Sequence, residues 1–409
     1  MFLKPLMERN PEFVEAIAAL HADGAIPANT YAIDLDTVTT NAAAICAEAA
    51  RHRLTVFGMT KQMGRNVHFC DALHTGGVRS GVAVDMDCAR AIRQSALSIG
   101  HIGHLVQIPE HEALEAAEMD PQYWTVFNWE KAEQSARAAK HVGRTQELLV
   151  RIYDEGDSFY FGHGGGFPAE EIVELANRLD ELDGARFAGI TTFPALLFSE
   201  EGGSVLPTHN LQTLEAAALA LTNSGRSIQI NAPGTNSSVL FEELASRGAT
   251  QVEPGHAFTG TTPLHVVRED LPELPAAAYV TEISHEFAGK AYCFGGGLYI
   301  DPVFNDYQLQ CLIMPRGDGE GSFLADVEVP PSSAIDYYGL ISAPPSKKIA
   351  VGDTVIFGFR IQAFVTRANV APIRGVHTGK PEVLGIWNSL GTPSLFPKRK
   401  ANQQKGDLL

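Results

Sequence analysis

A chain of 409 residues exceeds one ordinary small domain, and a single α/β barrel takes roughly 250 residues, so the remainder is large enough for a second unit. Hydrophobic residues at 45% against charged ones at 19% supply a buried core and exclude a disordered or fibrous chain. The formal charge of -17 disfavours nucleic acid and anionic membranes as partners, because both would repel it, while leaving room for a phosphate held in a local pocket.

From the N-terminus, Met1 to Asn10 has no long apolar core after Lys4, and no stretch approaches the roughly 20 apolar residues of a membrane span. The expectation is a cytoplasmic protein. Cys46, Cys70, Cys88, Cys293 and Cys311 show neither an even count nor C-x-x-C spacing, which fits a reducing compartment and argues against a disulfide framework or zinc site. A helix is predicted from about Thr37 to Ala50. From Thr55 to Gly255 short β-branched runs alternate with Ala/Leu/Glu-rich segments at helical spacing. Eight strands are predicted: Thr55 to Met59, Val82 to Val84, Leu105 to Ile108, Thr125 to Phe127, Leu148 to Tyr153, Phe187 to Thr192, Ser227 to Ile230 and Thr250 to Val252. Helices fall between them, including Glu130 to His141, Ala169 to Leu182 and Leu211 to Thr222. Eight parallel strands with crossover helices predict a closed (β/α)8 TIM barrel, with an open doubly wound sheet as the alternative. After the proline-marked segment Leu271 to Pro275 the pattern changes to strands without helices: Tyr279 to Ile283, Gln308 to Met314, Phe323 to Val329 and Val355 to Thr366. The predicted domains are a barrel over 28–270 and a β-rich domain over 276–400, with residues 1–27 contributing to the latter; the last ten or so residues are a polar tail.

A barrel of this type carries its active site at the C-terminal ends of its strands. The first predicted strand ends in Met59-Thr60-Lys61, placing an amine at the mouth, where burial and the Arg65 cation would lower its pKa towards Schiff-base use. Alone, such a lysine is more simply a surface residue. The loops after strands seven and eight change the balance, because barrels build phosphate sites there from backbone N–H groups and a helix N-terminus. The first is Asn231 to Ser238, small and hydroxyl-rich; the second is Glu253-Pro-Gly-His256. Together with Lys61 they point to pyridoxal phosphate. Glu253 would then stand beside the pyridine nitrogen and keep it protonated, the alternative being a rim carboxylate paired with a surface cation.

These residues resemble the opening of the alanine-racemase-like, fold-type III pyridoxal phosphate enzymes: Asp34-Leu35-Asp36, Asn41, then a strand ending in Lys61. Asp154-Glu155-Gly156, Gly189 to Thr192, Asn236-Ser237-Ser238 and Pro254-Gly255 follow in the family's order, so the likeness spans nearly the whole chain. Thr60 to Asn66, Thr-Lys-Gln-x-Gly-Arg-Asn, is similar to the YhfX-type branch. The resemblance implies that Lys61 carries the cofactor and acts as one acid/base group. It places Thr192, Asn236, Ser237, Gly255 and His256 around the cofactor, the last three at the phosphate, with Arg65 as a further phosphate contact. It also implies a head-to-tail homodimer with shared active sites, and Tyr292 as the second base. Cys293 is the alternative second catalyst, by likeness to the decarboxylases of this fold.

Three departures bear on activity. Glu253 stands where alanine racemases have an arginine, Phe193 replaces the ring-facing histidine with His163 as a substitute, and the arginine expected after strand five is missing from Asp154 to Phe159. The expected activity is a racemase or epimerase acting on an amino acid or related amine; a decarboxylase or other lyase is the alternative, and a non-catalytic cofactor-binding regulator ranks third. His101 and His104 read as structural or surface histidines, His377 has no cysteine near it, and no metal is expected. Gly295 to Gly297 reads as a tight turn.

Overall fold

The computed structural model describes residues 1–299, 308–316, 321–331 and 333–396. Two helices, α1 (Leu3–Arg9) and α2 (Pro11–Ala22), precede β1 (Thr30–Asp34). Asp34 caps α3 (Leu35–Arg51), accepting from the backbone N–H groups of Asp36 and Thr37. Next come β2 (Thr55–Met59), α4 (Val67–Thr75), β3 (Ser80–Ala83), α5 (Met86–Ile92), β4 (Ser98–Ile102), α6 (Ala113–Glu118), β5 (Tyr123–Val126), α7 (Trp129–His141) and β6 (Gln146–Tyr153). The two-residue β7 (Phe167–Pro168) leads to α8 (Ile172–Asp180), β8 (Ala185–Thr191) and a hairpin of β9 (Leu196–Ser199) and β10 (Ser204–Pro207). Then follow α9 (His209–Asn223), β11 (Gln229–Asn231), α10 (Phe241–Ser246), β12 (Gln251–Val252) and α11 (Leu264–Val267).

Strands β2, β3, β4, β5, β6, β8, β11 and β12 pair in parallel in that order, and β12 returns to β2, so the barrel closes. The expected eight-stranded barrel is present. Its third predicted strand was misplaced: the strand is Ser98–Ile102, while Leu105 to Ile108 lies in the loop after it. Gly100 and His101 break the apolar run that marks a buried strand, and the interior needs both. A Cβ at Gly100 would strike the Phe57 ring, so glycine makes room for a large side chain from β2, two strands away around the barrel.

The second domain is a β-rich sheet of β13 (Ala277–Phe287), β14 (Lys290–Phe294), β15 (Gln310–Met314), β16 (Phe323–Glu328), β17 (Tyr338–Ser342), β18 (Thr354–Phe357), β19 (Asn369–Arg374), β20 (Glu382–Val383) and β21 (Trp387–Asn388). β13 through β18 form a closed antiparallel ring, with β13 bonded to both β14 and β18. β1 joins this sheet, antiparallel to β13 and parallel to β19. The barrel therefore begins after β1, at α3, rather than at residue 28. β1 is buried on both faces: Tyr31 and Ile33 face the main core, and Ala32 packs with Phe13 and Ile17 of α2 in a second core. The predicted strand Val355 to Thr366 stops at Phe357; the chain then leaves the sheet and returns as a 3-10 turn at Ala363–Val365 against the start of the barrel.

Candidate functional site

A cavity of about 750 Å³ opens at the C-terminal ends of the barrel strands and is closed on one side by the second domain. Its size suits a small molecule. β2 ends at Met59, and Lys61 opens a 3-10 turn (Lys61–Met63) that points its amine into the cavity. Nζ lies 5.1 Å from the centre of the Phe364 ring, and no hydrogen bond or ion pair engages it among the described residues. Burial pulls the amine pKa down, and Arg360 and Arg65 add to this against Cys88 and Asp85.

Glu253, at the end of β12, reaches the same cavity and is 3% exposed. Its Oε1 accepts from Asn231 Nδ2 at 3.1 Å and makes a very short contact with His101 Nδ1. Its Oε2 has no hydrogen-bond partner, although His104 Nε2 stands 3.4 Å away, out of line. Burial pushes the Glu253 carboxyl up, but His104, His101 and the hydrogen bonds from His101 and Asn231 outweigh it and hold the group at about 2. Burial drives His104 down to about 3. At neutral pH Glu253 is charged and His104 neutral. His101 and His104 are thus interior groups at the barrel floor, which excludes the surface half of the expectation of structural or surface histidines. With Glu253 they offer three donor atoms within 4.8 Å of one another. Their H-x-x-H spacing was the available signal; what hid it was the distance in sequence to Glu253.

The loop residues divide. Asn236, Gly255 and His256 line the cavity. A Cβ at Gly255 would strike the Gln62 amide, so a larger residue there would displace the Gln62 side chain. Asn236 Oδ1 is buried without a partner, and His256 Nε2 is bonded to the Ile361 carbonyl at 2.9 Å. Ser237, expected at the phosphate, does not line the cavity: its hydroxyl donates to Glu273 at 3.1 Å, which also accepts from Ser238 N at 2.9 Å. Arg65 is likewise engaged elsewhere, with Asp85 at 2.8 Å and Cys88 Sγ at 3.0 Å, and does not line the cavity. Thr192 is fully buried with an unpartnered hydroxyl behind the wall.

Tyr292 and Cys293 lie on β14, away from this chain's cavity. Tyr292 stacks on His285 at 4.5 Å and meets Tyr338 edge-on. Cys293 is fully buried and its thiol is pushed up to about 12 by desolvation. The second domain instead brings Tyr299, Arg360 and Gln362 to the cavity, none of which the sequence singled out; Arg360 and Gln362 arrive because the chain leaves the sheet after β18. Arg151 is a further unforeseen group, on the fifth barrel strand itself rather than after it. Its guanidinium is wholly buried over the Phe127 and Phe159 rings and bonds the carbonyls of His163 and Phe193. Phe193 does face His163, with rings stacked 6.0 Å apart.

Residues 33–263 match the family described as alanine racemase, N-terminal domain, and residues 278–383 match the YhfX-like C-terminal domain. The chain is 36% identical over 392 residues to the uncharacterized protein YhfX of Escherichia coli (strain K12), covering 96% of this chain and 99% of that one. Among solved structures, alanine racemase of Clostridium difficile 630 in complex with cycloserine is 18% identical with TM-score 0.63, over 89% of this chain and 99% of that one. D-threonine aldolase from Filomicrobium marinum is 16% identical with TM-score 0.63, over 88% and 95%. D-threo-3-hydroxyaspartate dehydratase from Delftia sp. HT23 is 16% identical with TM-score 0.62, over 89% and 97%. These three share the fold with this chain while their names span an isomerase and two lyases.

Proposed function

Because the chain belongs to the alanine racemase N-terminal domain family and carries the YhfX-like C-terminal domain, we propose that it is a pyridoxal phosphate enzyme acting on an amino acid or related amine through Lys61. The observation that carries this reading is the buried Lys61 amine, free of hydrogen bonds and ion pairs among the described residues, sharing one cavity with the Glu253 carboxylate. The residues present fit the cofactor: buried polar atoms without partners, including Asn236 Oδ1 and Glu253 Oε2, cluster at this cavity, as a polar guest requires. Arg360, Gly255 and His256 would hold its anionic end, Asn236 Oδ1 would accept from a donor group of the guest, and Glu253 would face its ring nitrogen. Bound there, the cofactor supplies an electron-withdrawing ring that acidifies the α carbon of an attached amine.

This chain's own groups do the rest. Lys61 Nζ, its proton affinity lowered by burial, is the covalent tether and one proton acceptor. Phe193 and His163 wall the cavity against water. Racemisation or epimerisation needs a second acid on the opposite face, and Tyr292 would supply it from a partner subunit in a head-to-tail homodimer; Cys293, sealed under the sheet, is a poorer candidate. Arg65, Ser237 and Thr192 are not carried into this reading. A lyase, such as a decarboxylase, is the second reading, favoured by the low carboxyl pKa of Glu253, since a charged partner strengthens the electron sink.

The test is the absorbance of the purified protein with pyridoxal phosphate, before and after borohydride, beside Lys61→Ala. A band near roughly 420 nm, reducible and confined to the protein with Lys61, is expected. Racemisation and carbon dioxide release across an amino-acid panel then separate the two reactions. No reducible band in the parent protein sinks the proposal.

A further inference from the structure

The barrel floor behind Glu253 is built more elaborately than a simple carboxylate contact needs. His101 sits on β4 across the barrel interior, fully buried, with both ring nitrogens engaged: Nδ1 with Glu253 Oε1 and Nε2 with Thr125 Oγ1 of β5, each in a very short contact. Thr125 is also fully buried, and its hydroxyl has no other partner, so it is placed to donate to Nε2. Facing a carboxylate oxygen that can only accept, Nδ1 is the donor of the contact with Glu253. Asn231 Nδ2 donates to the same carboxylate oxygen. Oε1 is therefore doubly held, while Oε2 makes no hydrogen bond, with His104 Nε2 3.4 Å away, and Glu253 lines the cavity.

We infer that His101, oriented by Thr125, is a positioning residue that fixes Glu253 in its ionised form with Oε2 presented to the ring nitrogen of the cofactor. The inference rests on the pyridoxal phosphate reading and adds to it a relay, Thr125 to His101 to Glu253, that sets the strength of the electron sink from the far side of the barrel. A buried carboxylate with one oxygen saturated by two donors has one orientation available, so the relay fixes geometry as well as charge. The other titratable group facing the carboxylate is His104, whose two nitrogens make no hydrogen bond; Lys61 and Arg151 act on His104 from farther away.

The experiment uses the full chain loaded with pyridoxal phosphate labelled with nitrogen-15 in its ring, after borohydride has established the adduct in the parent protein. The nitrogen chemical shift reports directly whether the ring nitrogen is protonated. The parent is expected to hold a pyridinium at neutral pH. His101→Leu lowers the pH midpoint of that protonation by about 1–2 pH units. His101→Asn, which keeps a donor near the Nδ1 position, restores most of it, and Thr125→Val falls between. In a Glu253→Gln background, His101→Leu adds nothing. Should His101→Leu fail to fold, Thr125→Val and His101→Asn carry the comparison. An unprotonated ring nitrogen in the parent at neutral pH, or a His101 effect that persists without Glu253, overturns the relay while the adduct leaves the cofactor reading standing. So does one equivalent of divalent metal in the purified protein that disappears with His104→Ala, since the cluster would then be a cation site. Absence of any adduct fails the cofactor reading instead.

Discussion

Single residues at the barrel floor tie folding to pH. His104 is neutral and buried, so its imidazole takes a proton only near pH 3, whereas an unfolded chain takes it near 6.5. Glu253 behaves in the same sense from its own side: held ionised down to about 2, it contributes stability above an ordinary carboxyl value of 4.5 that is lost as pH falls through that range. In both cases the unfolded state binds more protons, so stability falls on acidification. The urea midpoint is expected to decline from pH 6.5 downward, and His104→Leu should flatten the decline between pH 6.5 and 4.5 by up to one proton, about 1.4 kcal/mol per pH unit. An unchanged slope would show that His104 is not the group responsible. Lys61 illustrates what one residue discloses from sequence: its place after an apolar run was legible, but its lack of partners was not, because that depends on Phe364 and Arg360 arriving from the second domain.

At the scale of elements, close approach between strands decides what the barrel tolerates. β8 and β11 lie so near that a Cβ at Gly189 would strike the Gln229 carbonyl. Gly189→Ala is expected to lower stability by about 1–3 kcal/mol, read from urea unfolding, since neither backbone can yield without disturbing the barrel. A loss below about 0.5 kcal/mol would mean that the two strands shift freely. The α3 pattern was clear beforehand, because Val38, Ala42, Ile45 and Ala49 fall on one buried face at helical spacing. β4 was not, since a strand whose interior positions carry glycine and histidine lacks the apolar signature, and the nearby Leu105 to Ile108 imitates it.

For the whole molecule, the N-terminal segment belongs with the second domain, and so does β1, which lay inside the expected barrel. β1 is an inner strand of the second sheet, and α1 and α2 cover that sheet's outer face, so the chain builds part of its second domain before starting the barrel. Asn10 pins this junction, donating to Asp34 at 3.1 Å and to the Pro275 carbonyl at 2.9 Å. No helix among the described residues is long and apolar enough to cross a membrane. Tyr292 does not line this chain's cavity, so its proposed role requires a second copy. Light scattering is expected to give twice the chain mass; a monomer at every concentration would remove Tyr292 from the reaction and leave residues of the same chain, such as Tyr299, as its second acid.

Local order was in the sequence alone: alternating strand and helix patterns predicted a closed barrel and then a β-rich domain, and Lys61 with the loops after the last two strands marked residues that line the cavity. Periodicity and turn chemistry are short-range properties, so they survive in a linear reading. Tertiary structure decided which polar groups meet. Glu253 and His101 are 152 positions apart and converge only because the barrel closes, Arg360 enters because β18 ends early, and Ser237 and Arg65 are drawn away by Glu273 and Asp85. A buried polar group must find a partner wherever the fold offers one, and that choice is made in three dimensions.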